Sequence, residues 1–599
     1  MRFHRAHIIH IAFVLVGLIF LARLFFIQVV SDTYRLAAEK NIIQRVVEYP
    51  YRGVIYDRHG DFLAYNVPIY DLMVIPKEVK HLDVAAFCQD FGITLPKFDS
   101  AIKKAKAYSH VKPSIFIKNI SQETWAKTQD HIAEYLGFFV QVRTVRQYPK
   151  STLANTLGYV GAISAQQLAA DATHYYKPGD VLGISGLEAK YEKVLRGECG
   201  IRYQVHDAQG RAQGSFKEGT YDRVSVPGAD LTTTIDSVLQ RYGEQLMDHK
   251  LGSIVAIAPQ TGEILTLVSS PSYDPNLLTG GDLGNHFVAL EQDTLSPLFH
   301  RPIMAMYPPG SILKPYQALI ALQEKVLFPY TTYACNKKLL KCHPHPAPVS
   351  LHNAIKYSCN PYFYHVFRNI INQKTPHPTS EDTCLGLETW CNYLKRFGLG
   401  AALGIDLPGE KSGYVPDAQF YDQRYGTGRW QTSTIRSLDI GQGELLITPL
   451  QMANLVAILA NRGYYYTPRV VKQIGAHPIL PQEEDKHELA IDRAHFECIA
   501  NAMQEVVEGG TAWRARVKGI TICAKTGTTE NPHGKDHSVC IAFAPRENPQ
   551  IAIAVYVENA GWGSRAATAI AGLLIGKYLK GDISHPWLHN YILKGDFSH

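Results

Sequence analysis

The sequence reads as an α+β protein of at least two domains standing behind an N-terminal apolar segment. Three observations carry that reading. His7 to Val30 is apolar apart from His10, Arg23 and Gln28. After it, short strand-like runs broken by Gly, Pro and Asn continue to about residue 225. Beyond that, strand patterns at 253–269 and 519–557 enclose about 250 residues rich in helical periodicity. Strands from two distant stretches with helices between them assemble most simply as one antiparallel sheet covered by helices.

The length of 599 residues exceeds what one core supports. With 46% hydrophobic and 19% charged residues the chain is too apolar to be disordered. Its net charge of +6, spread over 60 basic and 54 acidic residues, forms no basic stripe, so no nucleic-acid partner is expected.

Taken in order, residues 1–7 are a short tail and residues 8–30 a transmembrane anchor, since about 20 apolar residues cross a bilayer. A cleaved signal peptide is the alternative. The apolar run resumes after Arg23 as Leu24-Phe25-Phe26-Ile27 with no small-x-small site behind it, which favours retention. Arg2 and Arg5 precede the span and Ser31-Asp32 follow it, placing the tail in the cytoplasm and the rest outside the cytoplasmic (inner) membrane. Arg23 either snorkels or faces a partner helix.

Residues 31–226 read as a pedestal. Arg35 to Arg45 suggests a helical stalk, and Arg52 to Asn66 a strand, a tight Asp57-Arg58-His59-Gly60 turn and a returning strand. No clustered acid, base or nucleophile appears from 70 to 225. A second domain, 227–580, opens at Pro227-Gly228-Ala229-Asp230, with Leu231–Ile235 as its first strand and Asp236 capping a helix through Leu246. Ser253–Ala258 and Glu263–Ser269 flank a Pro259-Gln-Thr-Gly262 turn. Gly519–Ala524, Ser538–Ala544 and Gln550–Val557 add three strands, and Pro449–Asn461 is a helix. Residues 581–599 are a C-terminal tail.

The chemistry is sought in spacing. Ser311 and Lys314 are i and i+3, neighbours on one helix face, where a desolvated lysine takes a serine proton. Ser100 to Lys103 and Ser109 to Lys112 share that spacing. Only Ser311 follows a rigid Tyr307-Pro308-Pro309-Gly310 turn and opens an apolar helix, the seat an acyl-transfer nucleophile needs. Ser358-Cys359-Asn360 offers a hydroxyl relay and an amide, although in isolation the tripeptide is more often a cap or turn. Lys525-Thr526-Gly527-Thr528, at the end of an expected strand, offers a carboxylate grip and close backbone approach. Of ten cysteines, Cys335 and Cys342 lie beside His343 and His345. A disulfide-closed loop, a zinc site completed from elsewhere, and accident all remain open.

In this order, Ser311 to Lys314, Ser358 to Asn360 and Lys525 to Gly527 form the set of penicillin-binding proteins and β-lactamases. The chain resembles a class B penicillin-binding protein over roughly 45 to 560. Arg52-Gly53, Asp57-Arg58, Gly60, Asn66, Arg146-x-Tyr148-Pro149 and Gly186-Leu187-Glu188 are similar to its N-terminal signature. Pro259-x-Thr261-Gly262-Glu263, Ser272 to Asn276, and Gly441-Gln442-Gly443 with Thr448-Pro449-Leu450-Gln451 resemble catalytic-half motifs. Trp430 through Gly443 looks like the elongation branch rather than the septal one, and Cys342 to Phe363 is similar to Bacteroidota versions. Ala258, where an aspartate is usual, and Lys150-Ser151 depart from the pattern.

The resemblance implies a penicillin-binding, β-lactamase-like transpeptidase domain built on a five-stranded antiparallel sheet flanked by helices. It implies a peptidoglycan D,D-transpeptidase acting on D-Ala-D-Ala stem peptides and acylated by β-lactams. Ser311 is then the nucleophile, Lys314 its base, Ser358 and Asn360 the relay, and Lys525, Thr526, Gly527 and Thr528 the substrate grip. No cofactor is required; zinc at Cys335, Cys342, His343 and His345 is an option. A SEDS-family glycosyltransferase (RodA-like) and other elongation-complex membrane proteins are the implied partners. A D,D-carboxypeptidase or β-lactamase, or a non-catalytic β-lactam sensor or scaffold, are the alternatives.

Overall fold

The computed structural model describes residues 5–26, 43–206, 212–279, 283–347, 349–373, 378–482, 485–595 and 597. They separate into two compact units, Met1–Gly53 with Lys193–Ala229, and Val54–Glu192 with Asp230–His599.

In the first unit, Ile43–Glu48 pairs antiparallel with Gly200–His206, which pairs onward with Ala212–Ser215. Arg45 of the expected stalk therefore lies in a strand, its neighbours Val46 and Val47 being β-branched and suited to a pleated surface; residues 35–42 lie outside the described residues. A helix spans Arg5–Phe25. Among the described residues no helix is long and apolar enough to cross a membrane, and 27–30 of the expected span lie outside them.

The second unit holds two large sheets. One has seven strands in the order His477–Pro478, Val471–Ile474, Leu231–Thr233, Ile55–Tyr56, Phe62–Val74, Ser114–Ile120, with Phe138–Gln147 also paired to Phe62–Val74. The hairpin expected from Arg52 to Asn66 is present, with Ile55 opposite Ala64. The expected Leu231–Ile235 strand is shorter, Leu231–Thr233, and pairs parallel to Ile55–Tyr56 and antiparallel to Val471–Ile474. The cause is local: the Asp230 carboxylate accepts from Val54 N at 2.7 Å, and Leu231 N donates to Val54 O at 2.8 Å, fixing the chain beside its pedestal neighbour.

An aromatic nucleus fills the N-terminal part of this unit. Phe87 lies 4.5 Å from Phe138 and 5.7 Å from Phe116, centroid to centroid, with Phe91, Phe98 and Tyr135 around it. The signature residues outside the chemistry are joints. Arg146 Nε donates to Glu188 Oε1 at 2.6 Å with both side chains buried, and its Nη1 donates to Asn66 Oδ1 at 3.1 Å. Asp57 accepts from His59 N, Asp61 N and Ser237 Oγ. Asn276 clasps Tyr148 from both sides, accepting from its N–H at 3.0 Å and donating to its carbonyl at 2.8 Å.

The second sheet is five-stranded and antiparallel, ordered Glu263–Ser270, Gly252–Ala258, Ile551–Val557, His537–Ala544, Cys523–Thr529. Every residue of the central Ile551–Val557 strand is buried, so helices cover both faces. Pro449–Asn461, Ala567–Lys580 and Ser237–Leu246 pack against it. The last strand is shifted from the expected Gly519–Ala524. It runs from Cys523 through Thr529, because Lys525 to Thr528 pair residue for residue with Ile541 to Ser538.

Arg146→Ala removes the guanidinium bonded to the buried Glu188 carboxylate, and a loss of about 3–5 kcal/mol is expected in chemical unfolding. A loss below about 1 kcal/mol would show that the pair does not hold this joint.

Candidate active site

The Pro308-Pro309 turn delivers Gly310 in the left-handed region, at φ +60°. A Cβ there would lie 3.0 Å from the Thr528 carbonyl. Gly310 N donates to Gly441 O at 2.7 Å, and Gly441 in turn has no room for a side chain, since its Cβ would sit 2.3 Å from Gly310 O. Two glycines thus bring the nucleophile turn against both the Cys523–Thr529 strand and the Gly441 loop. A short 3-10 turn, Gly310–Leu313, carries Ser311, and the helix Lys314–Gln323 follows without a break, with Pro315 in its first turn.

Lys314 is fully buried. Its Nζ donates to Ser358 O at 2.9 Å, Ser358 Oγ at 3.2 Å and Asn360 Oδ1 at 2.5 Å. Lys525, also fully buried, donates from Nζ to Ser358 Oγ at 2.8 Å and to Thr526 O at 2.8 Å. The Ser358 hydroxyl therefore lies between two buried amines. Burial pushes Lys314 down to about 8, and burial followed by the neighbouring Lys314 charge pushes Lys525 well below the ordinary lysine range. Ser358 holds φ +56°, unusual for a residue with a side chain. It sits between the helix Leu351–Lys356 and the helix Asn360–Asn372, whose first residue Asn360 donates from Nδ2 to Lys341 O at 2.9 Å.

Ser311, Ser358, Asn360, Thr526 and Thr528 line a cleft of about 410 Å³. Lys314 and Lys525 lie beneath them, joined through Ser358. Thr526 Oγ1 is 2.7 Å from Thr511 Oγ1, and Thr528 Oγ1 accepts from Gly563 N at 3.2 Å. Gly527 lies between these threonines in the strand. The two decoys are elsewhere: Ser100 and Lys103 belong to the helix Leu95–Tyr108, and Ser109 Oγ accepts from Val111 N and Lys112 N in an exposed turn.

The cysteine neighbourhood differs from expectation. Cys335 and Cys342 carry free thiols, not a disulfide. The potential ligand atoms of Cys335, Cys342, His345 and Cys359 lie within 4.8 Å of one another. His343 is not in this set; it faces the cleft, and the fourth group is Cys359, the middle residue of the Ser358 motif. Hydrogen bonds from Cys359, His343 and His345 hold the Cys342 thiol far below its ordinary range.

Asp439 was not singled out from the sequence. It lies in the 3-10 turn Arg436–Ile440, directly before Gly441, and is 1% exposed. Its Oδ2 has no hydrogen-bond partner among the described residues. Burial raises its carboxyl to about 7, against the pull of the Lys314 and Arg436 charges. The available signal was an acid between Leu438 and Ile440 in a turn of apolar neighbours.

The model of the penicillin-binding protein transpeptidase domain matches residues 252–576, and that of the penicillin-binding protein dimerisation domain residues 47–233. The chain belongs to the penicillin-binding protein transpeptidase family. It is 30% identical to the peptidoglycan D,D-transpeptidase MrdA of Acinetobacter baumannii, over 90% of this chain and 81% of that one. It is also 30% identical to MrdA of Escherichia coli K12, over 95% and 93%. The penicillin-binding protein (PBP2) solved in complex with MreC from Helicobacter pylori shares the fold, with TM-score 0.70 at 24% identity over 89% of this chain and 98% of that one. The resemblance to a class B penicillin-binding protein of the elongation branch is thereby borne out. This penicillin-binding protein is a peptidoglycan D,D-transpeptidase, a serine acyltransferase, with a mixed α+β fold of pedestal and transpeptidase domains.

The raised Asp439 carboxyl has a stability consequence of definite sign. The folded state holds that proton more tightly than the unfolded one, so stability falls as pH rises from about 4 to about 7, and the full penalty stands above pH 7. Asp439→Asn is expected to raise the unfolding free energy at pH 8 by about 2–4 kcal/mol, with the gain vanishing near pH 4. An equal gain at both pH values would exclude a buried carboxylate as its source.

Proposed function

We propose that Ser311 attacks the penultimate D-Ala carbonyl of a stem peptide, that terminal D-Ala leaves, and that a neighbouring strand's amine takes the acyl group, cross-linking the wall during elongation. One observation carries this reading: the Ser358 hydroxyl stands 3.2 Å from Lys314 Nζ and 2.8 Å from Lys525 Nζ. A proton taken by Lys314 from Ser311 then has a hydrogen-bonded route through Ser358 to the leaving amine. Lys314 suits the base role because burial brings it to about 8, within reach of its neutral form near neutral pH. Asn360 Oδ1 steers the amine. The N–H groups of Ser311 and Thr528 form the oxyanion hole, worth about 3–4 kcal/mol per donor. Lys525, Thr526 and Thr528 hold the terminal carboxylate, and Gly527 lets the peptide lie close. β-Lactams acylate Ser311 and persist.

The helix Arg5–Phe25 is the described part of a single anchor over 8–30, which puts the enzyme in the cytoplasmic membrane with its catalytic domain outside. A RodA-like SEDS glycosyltransferase supplies the glycan strands, and an MreC-type protein, as named for the Helicobacter pylori relative, is a further elongation partner.

A structural zinc ion is a second element of the proposal. Three thiols and one imidazole within 4.8 Å form the donor set of a closed, four-ligand site. Cys335, Cys342, His345 and Cys359 would hold the ion, which would supply folding energy and a fixed position for Cys359, and with it Ser358 and Asn360.

Labelling with a fluorescent penicillin is expected to mark the wild type and not Ser311→Ala; an unlabelled wild type would sink every acyl-enzyme reading. With a stem-peptide donor and an acceptor amine, cross-linked product is expected, and hydrolysis alone would point to the carboxypeptidase or β-lactamase alternative. Elemental analysis should find about one zinc per chain, lost in Cys335→Ser; purified protein without zinc, or Tm unmoved by chelation, removes the metal.

A further inference from the structure

Two residues of the cleft lining, Glu530 and Trp562, take no part in the acyl transfer written above. Thr526, Thr528 and Glu530 are alternate residues along one extended stretch and line the cleft together. Trp562 also lines the cleft and is 64% exposed. Single exposed hydrophobic residues are common and need no role; Trp513 and Trp587 are exposed too, but neither lines the cleft.

The Trp562 turn is unusually well fixed for a surface loop. Gly563 N donates to Thr528 Oγ1 at 3.2 Å, Ser538 Oγ donates to Trp562 O at 3.1 Å, Arg565 N donates to the same carbonyl at 2.8 Å, and Gly561 N donates to Asp536 O at 2.7 Å. A Cβ on Gly563 would come within 2.2 Å of Gly527 O, so the turn rests directly on the substrate-binding strand. A held indole keeps its large apolar face in water without a folding benefit, and that cost is recovered when a ligand covers it.

The cleft lining carries charge of both signs: Glu530 and Asp536, whose carbonyl accepts from Gly561 N beside Trp562, and Lys341, whose carbonyl accepts from Asn360 Nδ2. His533 and Lys535 belong to the same 530–536 connection as the acids but do not line the cleft.

The placement of substrate rests on the acyl-transfer reading above. With the terminal carboxylate at Lys525 and Thr526 and the acyl carbonyl at Thr528 N–H, a donor laid along the strand advances about 3.3 Å per residue. The residue preceding the D-Ala pair then comes beside Thr529 and Glu530, in the cleft that Trp562 also lines. We propose that Trp562, with Glu530, is the specificity-determining platform for the side chain of that donor residue. The side chain it fits has an aliphatic shaft that covers the indole and an ammonium tip that meets Glu530, as in a diamino acid. The Lys341 charge disfavours the same tip beside Asn360.

Acylation of the full-length enzyme distinguishes the cases with three probes: a pentapeptide donor with lysine before the D-Ala pair, the same peptide with norleucine there, and 6-aminopenicillanic acid, which has no such residue. Trp562→Ala is expected to lower kcat/KM for the lysine donor about tenfold, the scale of two or three methylenes leaving an apolar surface. Acylation by 6-aminopenicillanic acid should stay within about twofold, and Trp562→Phe should restore most of the peptide rate. Glu530→Gln should slow the lysine donor and spare the norleucine donor. Equal losses for peptide and β-lactam, no loss for either peptide, or an equal effect of Glu530→Gln on both peptides would overturn the assignment. If the wild type is not acylated by any of the three, the Ser311 reading itself fails, a result separate from a wild type that reacts but ignores Trp562.

Discussion

The active site depends on keeping a lysine amine dry. Lys314 has no exposed surface, and its three hydrogen bonds all end on Ser358 and Asn360. Removing an amine from water is costly unless its donors are met, and here the partners are the side chains and backbone the chemistry needs. Much of the surrounding geometry follows from that requirement. Ser358 accepts a left-handed backbone so that its carbonyl and hydroxyl both face the amine. Asn360 opens a helix so that its amide spans from Lys314 to the Lys341 carbonyl. Lys525 closes the network from the strand side. Asp439 supplies negative charge in the same dry region without a hydrogen-bonded partner for its second oxygen, a stability cost of the kind retained at functional sites.

What could be read in the sequence was what is contiguous. The Pro-Pro-Gly turn before Ser311, the hairpin after Arg52 and the strands near 253, 263, 538 and 550 each carry their signal within a dozen residues, and the structure has them in place. What could not be read depends on meetings across the chain. Leu231–Thr233 looks like any other short strand, and only the Asp230 to Val54 hydrogen bond decides its neighbour. Cys359 joins Cys335, Cys342 and His345 because a helix start brings it there, while His343, next to Cys342 in sequence, stays outside the set of four. Trp562 and Asp439 are single residues without a pattern; their roles arise from which wall they line and what they lie beside.

The signature residues of the N-terminal half also gain a physical meaning. Arg146, Glu188 and Asn66 form one buried cluster, Tyr148 and Asn276 another, and Asp57 with Ser237 a third. None touches the cleft, yet each fastens residues of the 54–192 stretch to one another or to those beyond 230. Charged and polar groups do this because paired hydrogen bonds specify orientation, which apolar contact does not.

The mixed sheet has a consequence for how such a chain can be divided or recombined. Leu231–Thr233 is hydrogen-bonded on one side to Ile55–Tyr56 and on the other to Val471–Ile474. A cut near residue 227, where composition places a border, leaves that strand with one bare flank, an edge open to pairing with other chains. The catalytic half is therefore not a free-standing cassette. Exchange between relatives, whether by natural recombination or by chimera building, has to carry the Ile55 hairpin along with the residues that follow Asp230, so the heritable block is larger than the part that performs the reaction.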